Sequence, residues 1–415
     1  MQNQSKSTGS NPTIALVVVF IVIFGAVMII ALMNAPTMGG PKVMASIQTY
    51  LAEVQQTAIP FMIAVGILAL ALAITAVIAV RRVWDNPKRR NELFTGYAFI
   101  APYLLVTLTF TVGVILAALY ISFTNYDIFT RPAWVGLDNY SLAFRGFTDP
   151  TKRDFLQSLY NVFWYMLIVV PTQTFLAIIM AVLLNAPMRF KQFFRTVFYT
   201  PSVTSSVVIT LIFIWFYLKN GYANFLLQNI LGVVGIKFQP VTWLGDPRGL
   251  FQLIVGAFGV NIPSSQWYFR GPSIAFMAIM VQNIYTTVPT FMIMFLAALQ
   301  DINPSLYEAA SIDGANGLQV FRKITLPMLR PIILLVVVLG TIGTLQIFDQ
   351  VYLATQGGPL NTSLTPVYLI FTEALGKNGP IHMGYASALA FILALIIFIF
   401  TFIQRRFLER GTQLY

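Results

Sequence analysis

Glu308-Ala-Ala-Ser-Ile-Asp-Gly-Ala315 and, nine residues beyond Gly314, Ile324-Thr-Leu-Pro327 form a polar island between two apolar stretches, 273–299 and 332–354. Each stretch is long enough to cross a bilayer. Asn303 is placed to cap a helix, and Pro304 sits where the first turn tolerates a missing N–H. The short helix so started is expected to stop at Asp313-Gly314, with Gly314 at positive φ. A second helix should run toward Pro327, with Leu318, Phe321 and Ile324 three apart on one side. Two short helices joined by a glycine turn make a knob, on which small Ala309 and Ala310 let a partner approach closely. A helix seated in a partner's groove is a common way to couple two proteins, and Glu308 can add charge-assisted contacts there.

Working outward, 57% of the 415 residues are hydrophobic and only 9% are charged, far from the averages of soluble domains. Eight apolar segments can be marked, roughly 14–34, 58–80, 97–121, 158–184, 197–218, 273–299, 332–354 and 384–403. Most approach the ~20 residues needed to span a bilayer, so the expected fold is all-α and polytopic, with about eight transmembrane helices. The first segment has a leading region holding only Lys6 and no small-residue cleavage site before Pro36, so it reads as a retained anchor and not a secretory signal.

Basic residues accumulate on the cytoplasmic side of membrane proteins. If the chain starts inside, 15 of its 25 Lys and Arg fall inside, among them Arg81, Arg82, Arg189, Lys191, Arg195, Arg322, Lys323 and Arg405. The outer loops are nearly twice as long in total and hold the rest. Both termini are therefore expected in the cytoplasm, and the Glu308 to Pro327 loop with them. The net charge of +11 then reads as orientation plus attraction to anionic membrane lipid, not as a nucleic-acid surface.

The chain lacks the groups that several chemistries need. A phosphate-binding loop requires Gly-Lys-Ser or Gly-Lys-Thr, whereas Gly376-Lys377 is followed by Asn378. Energy from ATP would have to come from a separate subunit. An ion-coupled carrier acting alone is the rival reading, but such carriers place ionisable groups within their spans. Only Asp349 lies inside an apolar segment, near its outer end. The same scarcity argues against an intramembrane enzyme. With no cysteine and a lone His382, no metal site, cofactor or catalytic residue is expected.

Uncharged polar groups do occur in the spans. Asn283, Thr286 or Thr287, and Thr290 recur at helical spacing in the sixth, and Thr341, Thr344 and Phe348 form a stripe in the seventh, with Gln346 nearby. Neutral hydrogen-bonding groups suit the hydroxyls of a sugar, and aromatic rings can stack on its less polar faces. The same groups also join transmembrane helices to one another. Both readings stand at this point.

The spacing Glu-Ala-Ala, three residues, Gly, nine residues, Ile, one residue, Leu-Pro resembles the signature loop of permease subunits of bacterial ATP-binding-cassette importers. Chance would produce its seven fixed positions at a given start with probability on the order of 10⁻⁸. The resemblance extends from about Tyr97 to Phe407 and points to the carbohydrate branch, in particular the maltose-type first permease subunit. Trp134-Val-Gly-Leu-Asp-Asn-Tyr140, Asn161-Val-Phe-Trp164, Trp243-Leu-Gly-Asp-Pro247, Thr355-Gln-Gly-Gly-Pro359 and Gly384-Tyr-Ala-Ser-Ala388 carry it.

It implies the type I importer permease fold, with an N-terminal anchor pair in 1–93, a six-span core in 94–415 and a coupling loop at 301–328. It also implies alternating access, with Glu308, Ala309, Ala310, Asp313, Gly314, Ile324, Leu326 and Pro327 docked on the ATPase. Asn283, Thr287, Thr290 and Thr344 would face the substrate. Implied partners are a second homologous permease, a pair of ATP-binding subunits and an extracytoplasmic sugar-binding protein. Asn283 stands where the family has a sugar-contacting asparagine, while Thr344 replaces a frequent asparagine, so the particular sugar does not carry over. Unlike the enteric maltose permease, the outer loop at about 124–155 is short, and the long outer segment is 219–271.

Overall fold

A computed structural model describes residues 87–408 together with Ile63, except Arg131, Met188, 236–237, Asn261, Pro263 and Asn378. The first apolar segment, all of the second but Ile63, and residues 81–86 of the basic connector lie outside the described residues, and with them most of the 1–93 region. Among the described residues there are helices and no strands, only isolated antiparallel bridges at Thr124–Trp134 and Gly249–Ser273. The chain divides into two compact units, one running to Leu142 and including Glu373–Ala388, the other Ala143–Thr372 with the chain from Leu389 onward.

In the first unit the third apolar segment is helical throughout, as Pro87–Val106, a π-type segment Thr107–Val112 and Gly113–Ser122. The Trp134 to Tyr140 stretch folds back over the end of this helix. The rings of Trp134 and Phe123 stack at 5.3 Å, and Asn139 Nδ2 donates to the carbonyls of Ser122 and Thr124. Trp134 is buried, so this landmark packs its own loop and its ring is not offered outward. Gly384 is also explained by close approach, because a Cβ there would run into the Thr124 carbonyl oxygen, and its N–H donates to Tyr126.

The second unit is built on three long helices, α1 (Asp154–Asn185), α4 (Ile274–Gln300) and α6 (Arg330–Leu345). On α1, Ser158, Asn161, Val162, Tyr165, Val169, Gln173, Ala177, Ala181 and Leu184 are buried at helical spacing, while Phe163, Leu167, Phe175, Ile179 and Leu183 face outward. In a bilayer, apolar contact between helices competes with apolar lipid, so small residues and polar bonds decide where helices meet. Gly340 of α6 approaches α1 so closely that a Cβ would reach the amide nitrogen of Gln173. Below this contact Ala177, Ala181, Met292, Phe295, Leu329 and Val336 form a continuous apolar core.

The fifth apolar segment departs from a single span. It consists of α2 (Lys191–Val203) and α3 (Ser206–Phe216), bent by 94° at Thr204-Ser205. Thr204 and Ser205 are extended, with ψ of 143° and 131°, which ends the first helix and reaims the second. The seventh segment is likewise interrupted after α6, resuming as Asp349–Ala354. Asp349 thereby sits at a helix N-terminus, where the backbone dipole favours a carboxylate. Among the described residues, four helices are long and apolar enough to cross a membrane, or five with the bent pair.

Candidate functional site: a two-helix knob and a polar seam

The knob begins with α5 (Pro304–Ile312). Asn303 Oδ1 accepts from the Ser305 N–H at 3.0 Å, and Pro304 occupies the first turn. The helix closes with Gly314 at φ 69°, the Gly314 N–H donating to Ser311 and the Ala315 N–H to Ala310. That paired closure satisfies two terminal carbonyls and requires the left-handed conformation glycine adopts freely. Asn316 and Gln319 then exchange side-chain and backbone bonds at 2.9 and 2.8 Å, starting the helix at Gly317.

Approaching Pro327, the helix widens into a π-type segment, Phe321–Thr325, before Leu326–Met328. Pro327 has no N–H to give and its ring crowds the carbonyl four residues earlier, a conflict that a wider turn relieves. The widening also redistributes faces. Phe321 packs on the core, whereas Leu318 is 75% exposed, so these two residues expected on one side part company. Tyr307 and Thr325 join the two helices through their hydroxyls at 3.2 Å.

The inner side of the knob, with Ile302, Ala310 and Leu329, is buried. Its outer side presents Glu308, Ala309, Asp313 and Gly314, with Ile312 87% exposed. Ile324, Leu326 and Pro327 are half-buried at the return. Exposed aliphatic side chains on a rigidly capped helix pair make a surface suited to a partner's groove.

The polar residues of the spans fall into different environments. Thr287 is half-buried and donates to Asn283 O and to Gln173 Oε1, both at 2.8 Å. Thr344 is buried and its hydroxyl bonds the Thr341 carbonyl, while Thr341 Oγ1 accepts from Gln404 Nε2. Asn283 is half-buried and Thr290 exposed. Phe348 gathers with Tyr352, Tyr368 and Phe371 into an aromatic cluster. Two polar residues that spacing did not single out hold the seam. Gln173 Oε1 accepts from Thr287 on α4 while its buried Nε2, without a partner, faces Gly340 of α6, and Gln282 Nε2 donates to Thr210 on α3 at 2.6 Å. Isolated glutamines within apolar runs were the available signal, since such groups must find partners inside a membrane. A cavity of about 470 Å³ at the α2–α3 elbow is lined by Thr200, Thr204, Phe213 and Phe216, and takes Tyr285 from α4.

Residues 173–412 match the family model described as binding-protein-dependent transport system inner membrane component. The probable ABC transporter permease protein YesP of Bacillus subtilis (strain 168) is 36% identical over 76% of this chain and 90% of its own length. The lactose transport system permease protein LacF of Rhizobium radiobacter is 32% identical over 74% of this chain and 92% of its own. Among solved structures, the bacterial alginate ABC transporter in complex with alginate pentasaccharide-bound periplasmic protein superposes with a TM-score of 0.61 at 21% identity, covering 80% of this chain and 99% of that one. The fold is thus that of an importer membrane subunit, and the knob between α4 and α6 lies inside the matched region. The chain belongs to the family of inner membrane components of binding-protein-dependent transport systems.

Proposed function

We propose that this chain is a permease subunit of an ATP-driven sugar importer, forming half of a translocation path with a second homologous membrane subunit. The observation that carries this reading is the knob at Glu308 to Pro327, with side-chain caps at Asn303 and Asn316 and exposed Ile312 and Leu318 standing among the polar groups of its outer side. A pair of separate ATP-binding subunits docks there, and an extracytoplasmic sugar-binding protein delivers substrate at the other end of α4. The sugar names of relatives such as the lactose permease support the substrate class. Both termini are cytoplasmic in this reading, and residues 1–93 form an added anchor pair ahead of the 94–415 core.

ATP binding draws the ATPases together, the knob moves with them, and α4 and α6 follow because Ile302 and Leu329 tie the knob to their packed ends. Asn283, Thr287, Thr290 and Thr344 contribute to the substrate wall. Among them Asn283 and Thr290 are the best placed for direct contact, since no side-chain hydrogen bond engages either among the described residues.

Gly314→Val tests the reading. A β-branched residue at φ 69° is strained, yet a Cβ there meets no neighbouring atom, so damage is confined to the turn. The variant should insert and assemble normally while uptake is lost and ATP hydrolysis no longer follows the binding protein. Uptake at the native rate, in membranes containing equal amounts of the complex, rules out the coupling role.

A further inference from the structure

A polar cavity of about 200 Å³ opens at the end of the second unit remote from the knob. Tyr160 and Asn161 of α1, Ser273 at the start of α4, Arg248, Gln252 and Arg270 line it. The knob follows the last turn of the 27-residue α4, so about 40 Å of helix separates the two sites. Two backbone segments crossing at the Gly249–Ser273 bridge bring the arginines together. The crossing is tight: a Cβ at Gly249 would enter the Arg270 carbonyl, and Phe251 and Leu250 N–H groups bond Arg270 O and Pro272 O.

The lining holds one guanidinium with an unmet donor. Arg270 Nε is buried with no hydrogen-bond partner. Arg248 is more exposed and is gripped through its Nε and Nη2 by Asp246, with both Nε contacts at 2.9–3.0 Å. Most other polar groups of the lining already have partners: Asn161 Nδ2 donates to the Asn361 and Leu364 carbonyls, and Ser273 Oγ to that of Thr362. Asn161 Oδ1 accepts from Gln157, Gln252 Oε1 from Gly249 N, and the Tyr160 hydroxyl accepts from Gly271 N while donating to Tyr268 O. No carboxylate lines the cavity, and the nearby Asp154 is engaged by Asn361. A guanidinium with an unmet donor in a lining without carboxylates favours an anionic acceptor, and the planar oxygen pair of a carboxylate matches its geometry.

Its size narrows the source. Ligand sites that enclose a sugar or a drug-sized molecule usually exceed about 300 Å³, so this one suits the head of a single side chain. Beside it Tyr268 and Phe269 stand half-exposed with their rings 4.7 Å apart. Arginine beside exposed aromatics is the composition of an interface anchor. We propose that this pocket receives one acidic side chain of the external sugar-binding protein, with Arg270 as its main partner. The assignment rests on the importer reading above.

The test uses the full complex in lipid nanodiscs, with ATP hydrolysis followed as the sugar-loaded binding protein is titrated. Arg270→Gln should raise the half-saturating concentration by about tenfold or more while leaving the maximal rate unchanged, and Arg270→Lys should shift it less. Gln252→Glu, nearly isosteric, places a carboxylate inside the pocket and should reproduce the loss. Should Arg270→Gln lower the melting temperature of the complex, Gln252→Glu decides. An unshifted titration in variants that are still stimulated overturns this assignment alone. If instead the titration is unshifted and only the uptake of uronate-containing sugars falls, the carboxylate belongs to the substrate, and the docking assignment is wrong. A native complex that the binding protein fails to stimulate overturns the importer reading and this assignment together.

Discussion

Thr287 and Asn283 sit one turn apart on α4 and are expected to behave differently. The Thr287 hydroxyl bonds buried Gln173 across to α1, so Thr287→Val leaves a buried amide oxygen unpaired. Hydrogen bonds of this kind contribute about 0.6 kcal/mol on average between transmembrane helices, and a lower melting temperature of the detergent-solubilised chain should follow. Asn283→Ala should leave melting unchanged and reduce uptake several-fold; unchanged uptake would assign the sugar path elsewhere. Outside the spans, the hydrogen bonds from Arg248 hold the buried Asp246 carboxyl below its usual range. A depressed folded-state pKa means the pairing is fully present above the unfolded value of about 3.9 and is lost as pH falls through the folded one. Fluorescence of the neighbouring Trp243 should therefore stay constant from pH 8 to 5 and change only below about pH 4.

At the level of elements, the meeting of α6 with α1 depends on one missing side chain. Gly340→Val would drive a branched group onto Gln173 and push it off Thr287, an overpacking expected to cost about 1–3 kcal/mol. Gly343, three residues on, has open space around it, so Gly343→Ala should be close to neutral. A thermal melt of both variants checks the pair, and equal behaviour would mean that helix contact is not set at Gly340. The bend between α2 and α3 belongs to this scale as well. Hydropathy along 197–218 is continuous, and nothing in it separates an interfacial helix from a spanning one. The break lies in the extended conformation of Thr204-Ser205, which composition does not report.

For the whole molecule, the exposed large apolar side chains of α1 and α3, such as Phe175, Leu183, Val208, Leu211 and Trp215, are those a bilayer covers, and orientation across it can be measured directly. The chain has no cysteine, so single cysteines can be introduced at the exposed positions Ser311 and Gln266 without background. A membrane-impermeant thiol reagent added to intact cells should label Gln266→Cys and spare Ser311→Cys. The reverse pattern would place the knob outside, away from ATP, and remove the basis for its coupling role.

Much of this architecture is legible in the residues alone, because its signals are local. The Asn303 cap, the stop at Gly314 and the fourth and sixth apolar runs follow from backbone chemistry within a few residues, and the structure reproduces them at Pro304–Ile312 and in α1 and α4. Pairing across the chain was not legible. Whether Thr287 faces a path or a neighbour depends on Gln173, 114 positions away. Whether Trp134 docks a partner or seals its own loop depends on Phe123. The approach of Arg248 to Arg270 depends on two segments crossing at glycines. Periodicity reports which side of a helix a residue occupies, whereas the identity of what lies opposite is set by packing between elements distant in sequence, and only the tertiary structure decided it.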